Sequence, residues 1–363
     1  MNIRRGRNRS IRIALTASAA ALSLGVLSAC GGAESGGSAD GKLAVTASFY
    51  PLEFLAEQIG GDHVDVTTLT GPGVEPHDLD ITPRQTGRMS EADVLLYLRG
   101  LQPAVDKAVD QAGVQNTVDA ADLTTLEAHG SSSGDGHDHG EEEGHDHAEE
   151  EGEGHDHADE EGDGHDHGEE EGDGHDHGEE EGDGHDHGDS GLDPHVWLDP
   201  VKYAELADGV GEVLQKADPD HAADYRKNAE ALTGKLKKLD QSYRDGLKNT
   251  DTRTFITTHA AFGYLAERYG LDQESIAGVD PESEPSPARM KELQKIAAEE
   301  KVTTVFFETL ASDRTAKVLA EDTGLRTGVL DPLEGITDKS QGDDYLEVME
   351  ANLAALQKAL GAK

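Results

Sequence analysis

Eighteen histidines are spread over 363 residues, and two thirds of them sit in one stretch. Between Gly136 and Gly188 the tetrapeptide Gly-His-Asp-His occurs six times, which places His137, His139, His145, His147, His155, His157, His165, His167, His175, His177, His185 and His187 in a run otherwise made of Glu, Asp and Gly with two Ala. Imidazoles at a spacing of two, on a chain too polar to bury a core, are the composition of a tract that collects metal. A His-x-His pair can chelate one cation, and two pairs can complete a tetrahedron. Binding there has to order the chain, so each such site should be weak. The neighbouring carboxylates favour the charged imidazole, so capture should weaken as pH falls toward about 6.

Three further histidines stand in loops of a different kind. His77 lies in Gly71-Pro-Gly-Val-Glu-Pro-His77-Asp-Leu-Asp, His195 in Asp193-Pro-His195-Val-Trp-Leu-Asp-Pro, and His259 in Phe255-Ile-Thr-Thr-His259-Ala-Ala-Phe-Gly-Tyr. Asp331, in Gly328-Val-Leu-Asp331-Pro-Leu-Glu-Gly335, ends an apolar run and offers a carboxylate. Three imidazoles and one carboxylate suit tetrahedral Zn²⁺, whereas Mg²⁺ and Ca²⁺ prefer shells made only of oxygen. Glu75 precedes His77 with one residue between and competes with Asp331 for the fourth position. His63, His129 and His221 carry no such context and read as solvated loop histidines. Trp197 reads as an aromatic of the core or cleft wall.

The elements that must position these residues alternate between strand and helix, which implies parallel sheets of the α/β class. Strands are expected at 43–47, 64–69 and 94–98, with a weaker one around Val118, and a helix over 52–59 stopped by Gly60-Gly61. After the tract, strands are expected at 254–257, 274–277, 302–307 and 328–330. Helices are expected at 260–269, 287–300 and 345–360, with Pro287 placed where a first helical turn tolerates proline. Between the halves, 220–247 is polar and helix-favouring. Tyr225, Ala229, Leu232, Leu236, Leu239 and Tyr243 fall on one face at spacings of three and four. A helix of that length spans roughly 40 Å and acts as a rigid connector. The expected organisation is an N-terminal lobe over 42–218 with 130–190 as a disordered His/Asp/Glu-rich loop, a linker helix over 219–249 and a C-terminal lobe over 250–363. Each lobe holds a parallel β-sheet flanked by helices. In open α/β sheets ligands bind beyond the carboxyl ends of the strands, so the loops with the three histidines and Asp331 should meet in the cleft between lobes.

The beginning of the chain is of another type. Arg4, Arg5, Arg7, Arg9 and Arg12 precede an apolar run from Ile13 to Leu27, which ends in Leu-Ser-Ala-Cys30. A basic segment, a short apolar core and small residues describe an export signal over 1–29. Cys30 is the only cysteine, so it has no internal disulfide partner. Its position resembles a bacterial lipobox, in which such a cysteine is acylated, and the glycine-rich run to residue 41 then reads as a tether. The expected location is extracytoplasmic, held to the cell membrane by lipid on Cys30. The net charge is −44, and 27 of the 75 acidic residues lie between Asp135 and Asp189. An acidic body argues against nucleic acid as a partner, since phosphate backbones need Lys and Arg.

With these motifs in place, the chain from about Lys42 onward resembles the zinc-binding lipoproteins of bacterial ABC importers, a branch of the metal-binding solute-binding proteins. Five motifs carry the resemblance in order: Pro76-His77, Asp193-Pro-His195-Val-Trp-Leu-Asp-Pro, Thr258-His259-Ala-Ala-Phe, Glu284-Pro-Ser-Pro287 and Phe306-Phe-Glu308. An acidic histidine-rich insertion before the second ligand is typical of that branch. The resemblance implies His77, His195, His259 and Asp331 as the metal site, Zn²⁺ as the transported ligand and a membrane permease as partner. It also implies two parallel α/β lobes joined by a long helix. Manganese-carrying relatives typically place Glu where His259 stands, so His259 favours zinc over the manganese alternative, while Cu²⁺ and Ni²⁺ stand higher or close in intrinsic affinity.

Three functions from different classes fit a histidine-rich metal protein. A monomeric receptor hands Zn²⁺ to a permease. A zinc enzyme keeps an open position for water, and a carboxylate in the fourth position closes it. A surface zinc buffer or adhesin would depend on the tract. The expected function is the receptor, without enzymatic activity and with the tract as a weak collector or sensor.

Overall fold

The computed structural model describes residues 41–113, 116–129 and 191–363. The expected export signal, Cys30 and the twelve tract histidines lie outside the described residues.

Two sheets of four parallel strands each are built in the same order. β1 (Leu43–Ala47), β2 (Val64–Thr68), β3 (Val94–Tyr97) and β4 (Thr117–Asp119) are arranged β2-β1-β3-β4. β5 (Thr254–Thr257), β6 (Asp272–Ser275), β7 (Thr304–Phe307) and β8 (Arg326–Val329) are arranged β6-β5-β7-β8. Parallel sheets are covered on both faces, so their inner strands read as continuous apolar runs. β3 (Val-Leu-Leu-Tyr) and β5 (Thr-Phe-Ile-Thr) are buried at every residue.

Helices supply the cover. In the first lobe these are α1 (Tyr50–Gly60), α2 (Pro83–Glu91), α3 (Pro103–Ala112) and α4 (Pro200–Ala217). The long α5 (Ala222–Gly246) follows, and α6 (Gly263–Tyr269), α7 (Pro287–Glu299), α8 (Arg314–Thr323) and α9 (Tyr345–Leu360) complete the second lobe. Proline occupies the first turn of α2, α3, α4 and α7, where its missing N–H costs nothing. Thr82 and Gln85 close a capping box on α2, and Asp199 caps α4 by accepting from the Val201 amide. Among the described residues no helix is long and apolar enough to cross a membrane.

The face of α5 foreseen from the sequence is the face it buries: Tyr225, Ala229, Leu232, Leu236, Leu239 and Tyr243 are all inside. Its first half is tied to the first lobe by Asn228, which donates to the Ile59 carbonyl at 3.0 Å. Its last turn is tied to the second lobe by the Tyr243 hydroxyl, which donates to the Met349 carbonyl at 2.7 Å. One apolar cluster runs through both lobes, from Val45, Leu52 and Phe54 through Trp197 and Tyr203 to Tyr345, Met349 and Leu356. The Tyr203 and Tyr345 rings lie 4.3 Å apart, and the Tyr345 hydroxyl donates to the Trp197 carbonyl at 2.6 Å. A continuous close-packed core of this kind resists separation of the lobes.

The helix after β5 begins later than its sequence suggests, as does β7, expected from 302 and starting at Thr304. α6 starts at Gly263 rather than Ala260, because the amide of Ala260 is drawn to the Gly278 carbonyl at 2.9 Å while the amide of Ala277 pairs with Thr258. The segment after β5 thus stays extended beside the segment after β6, and His259 sits in a loop instead of the first turn of a helix.

Candidate metal centre

Each of the four loops that reach the cleft is pinned before it presents its side chain. The His77 loop follows β2 and is anchored at both ends by Leu69 and Leu79, which join Met89, Leu95 and Tyr97 in a small core of their own. The amide of His77 donates to Glu75 Oε1 at 3.3 Å, turning the imidazole inward. The His195 loop is held by the Asp193 amide on the Glu127 carbonyl at 2.8 Å. Immediately after it Val196, Trp197 and Leu198 are buried in a short 3-10 turn. Trp197 donates its indole N–H to the Pro332 carbonyl at 2.7 Å, fastening this loop to the one that follows β8.

Two imidazoles share one device. His195 donates Nδ1–H to Asp193 Oδ1 at 2.7 Å, and His259 donates Nδ1–H to Glu308 Oε1 at 2.6 Å. With Nδ1 committed as donor, each ring turns the lone pair of Nε2 into the cleft, the arrangement in which a carboxylate fixes the tautomer of a metal-binding histidine. The Thr258 hydroxyl also donates to Glu308 Oε1, so that carboxylate is itself held in place. His195 and His259 are both fully buried, with Asp193 1% and Glu308 5% exposed.

The carboxylate that meets them is Glu334. Its Oε1 lies 3.1 Å from His195 Nε2, 3.2 Å from His259 Nε2 and 3.5 Å from His77 Nε2. The four ligand atoms lie within 4.8 Å of one another. Asp331 does not take part, which corrects the sequence expectation. Its Oδ1 accepts from the Leu333 amide at 2.9 Å, its Oδ2 accepts from the Thr309 hydroxyl at 3.1 Å, and Asn352 pairs with its backbone. Asp331 is therefore the cap of a turn. Leu333 completes that turn with a φ of 59°, a left-handed conformation that is costly for a branched residue. The reversal at Leu333 is what brings the next residue, Glu334, into the cleft. Glu75 also lies beside the cluster rather than in it.

Electrostatics mark the cluster as a place prepared for positive charge. Burial works to raise the Glu334 carboxyl, but the close imidazoles of His195, His259 and His77 hold it well below the usual carboxylate range. Burial opposes charge on His195 and His259, yet their carboxylate partners Asp193, Glu308 and Glu334 raise both. Burial and the negative charge of Glu334 push the Glu75 carboxyl up to about 9. Three buried atoms in the cluster (His77 Nε2, His259 Nε2 and Glu334 Oε2) have no hydrogen-bond partner. Buried polar atoms are almost always partnered, so orphans that converge on one point indicate a missing ligand. Three nitrogens and a carboxylate oxygen form the donor set of a borderline cation such as Zn²⁺.

Other histidines fall elsewhere. His63 and His221 stack at 3.9 Å on the surface, each beside its own aspartate, Asp224 and Asp218. His129 is not freely solvated as its sequence suggests; it bridges Asp193 and Glu267. Trp197 is 1% exposed and its ring lies 5.2 Å from that of His195, against the site but outside it.

The fold and this cluster together define a bilobal α/β protein with three histidines and one glutamate gathered between its lobes. The family described as "Zinc-uptake complex component A periplasmic" matches residues 45–359, and the chain belongs to that family. It is 35% identical to the zinc-binding lipoprotein AdcA of Streptococcus pneumoniae over 326 residues, which are 88% of this chain but only 56% of AdcA. It is 35% identical to the high-affinity zinc uptake system protein ZnuA of Bacillus subtilis over 347 residues, 93% of this chain and 95% of that protein. The crystal structure of the Zn(II)-bound ZnuA-like domain of S. pneumoniae AdcA superposes with a TM-score of 0.63 at 30% identity, covering 88% of this chain and 99% of that domain.

Proposed function

We propose that this protein is an extracytoplasmic receptor that captures Zn²⁺ between its lobes at His77, His195, His259 and Glu334 and delivers it to the permease of an ABC importer. The observation that carries the reading is the convergence of three Nε2 atoms within 3.5 Å of one Glu334 oxygen, with partnerless buried atoms facing the same point. Zinc suits this set because nitrogen ligands outnumber oxygen. A carboxylate in the fourth position leaves no open place for an activated water, which favours a carrier over a hydrolase.

In this reading the lobes over 42–218 and 250–363 are the two halves of the cleft and the helix over 219–249 is their brace. Acylated Cys30 holds a monomer at the membrane surface, and the twelve tract histidines collect zinc weakly beside the preformed site. Names of the relatives support zinc as the cargo. The test is competition of Zn²⁺ against Mn²⁺ on the purified protein: one tight zinc equivalent followed by weaker ones, with Mn²⁺ unable to displace the first. Tight binding that survives His259→Ala, or that Mn²⁺ reverses at equal concentration, would remove the basis of the proposal.

A further inference from the structure

Asp193 is buried, and the cleft uses only one of its two carboxylate oxygens. The other, Oδ2, accepts from Nδ1 of His129 at 3.1 Å. His129 then carries its Nε2 away from the cleft, 2.7 Å from Glu267 Oε2. Glu127 completes the group, and ligand atoms of His129, Glu267 and Glu127 lie within 4.8 Å of one another. The arrangement repeats that of the cleft: a buried carboxylate fixes Nδ1, and Nε2 faces oxygen donors.

The position is constructed and not a chance meeting of surface side chains. The Glu127 amide donates to the Tyr264 hydroxyl at 2.8 Å, and the Glu127 carbonyl accepts from the Asp193 amide at 2.8 Å. The His129 ring stands edge-on to Tyr264 at 4.2 Å. That approach requires glycine at 263, since a Cβ there would lie 2.3 Å from the Cβ of His129. Lys202 holds Glu127 Oε1 at 2.7 Å, which leaves Glu127's second oxygen, Glu267 and the imidazole as donors. His129 and Gly191 are the described residues that flank the histidine-rich tract.

We propose that His129, Glu267 and Glu127 form a second site for a borderline divalent cation such as Zn²⁺, at the root of the tract and joined to the cleft through Asp193. One imidazole and two carboxylates make a weaker donor set than the cleft, and water completes the shell. The site is a station between the tract and the buried centre, so it deepens the zinc-receptor reading, yet it fills as a separate step and stands or falls separately.

The experiment uses the full chain with the twelve tract histidines changed to glutamine, titrated with Zn²⁺ by equilibrium dialysis and metal analysis. Two equivalents are expected, the second weaker. His129→Gln should abolish the second step and leave the first within about threefold, and Glu267→Gln should weaken the second by about tenfold or more. The Glu267 side chain is 61% exposed, so that variant keeps its fold. A single equivalent in the parent, or a second step unmoved by both substitutions, would overturn the proposal. Loss of the first step alone would instead count against the cleft assignment and leave the second site standing.

Discussion

Replacing Glu308 by glutamine changes one charge and almost no volume, in a side chain that touches no cargo. Glu308 is 5% exposed, and its Oε1 accepts from both His259 Nδ1, at 2.6 Å, and the Thr258 hydroxyl. An amide oxygen in that place accepts without charge, and charge-assisted bonds are roughly twice as strong as neutral ones. If the amide nitrogen faces the ring instead, the imidazole has to move its proton to Nε2, the atom the metal needs. Loss of such a carboxylate partner typically weakens metal binding by about 10–100-fold, or about 1.4–2.7 kcal/mol. Competition with a zinc chelator of known affinity measures this directly, with thermal unfolding of the metal-free protein as a check on folding. The expected result is a weaker first step with unchanged stoichiometry. A zinc affinity within about threefold of the parent, in a folded variant, would refute the argument that Glu308 sets the tautomer of His259.

Further outcomes follow from the same geometry. Glu334→Gln should weaken tight zinc binding beyond about 100-fold, whereas Asp331→Asn should leave it within about threefold and lower stability by about 1 kcal/mol through the turn it caps; the opposite pattern in chelator competition would restore Asp331 as the ligand. In the metal-free protein His195 and His259 are raised and Glu334 is lowered. The histidines' contribution to stability is full below the unfolded imidazole value of about 6.5 and is lost as pH rises through the folded values, while that of Glu334 is present above about 4.5 and lost as pH falls through its depressed value. Melting of the metal-free protein should therefore lose this contribution above about pH 6.5, while stabilisation by added zinc grows over the same range as protons cease to compete; zinc stabilisation that is flat with pH would contradict the assignment. Trp197 is the only tryptophan and lies 5.2 Å from the His195 ring, so its fluorescence should change with the first zinc equivalent and not with later ones.

Much of this molecule is legible in its sequence, for physical reasons that also explain the gaps. Inner parallel strands such as β3 (Val-Leu-Leu-Tyr) and β7 with its Val-Phe-Phe stand out as apolar runs in a polar chain. The buried face of α5 is visible because one stripe serves both lobes along its whole length. α2, α3 and α8 escape notice because they are short, although proline at 83 and 103 marks two of their starts; α4 is long, and its stripe of Tyr203, Leu206, Ala207, Val210 and Leu214 behind Pro200 is a helical signal that the sequence does carry. His77 and His259 stand in loops that follow β2 and β5, and His195 joins them because its loop is fastened by Asp193 to Glu127 and by Trp197 to Pro332. The carboxylate does not follow from the strand pattern. Asp331 and Glu334 share one loop, and Asp-Pro after a strand commonly opens a turn, so the aspartate is spent on the backbone. The left-handed Leu333 that delivers Glu334 has no sequence signature. Asp193 and Glu308 lie within recognisable motifs, but their role as holders of Nδ1 depends on distances that only the folded chain shows.

In the proposed function Glu334, with His77, His195 and His259, holds zinc between the lobes. Diffraction from zinc-loaded crystals on either side of the zinc absorption edge tests it most directly. One strong anomalous peak is expected at about 2.0–2.2 Å from the three Nε2 atoms and from a Glu334 carboxylate oxygen. A strong peak bound by Asp331, or no peak between the lobes while zinc is held elsewhere, would contradict it.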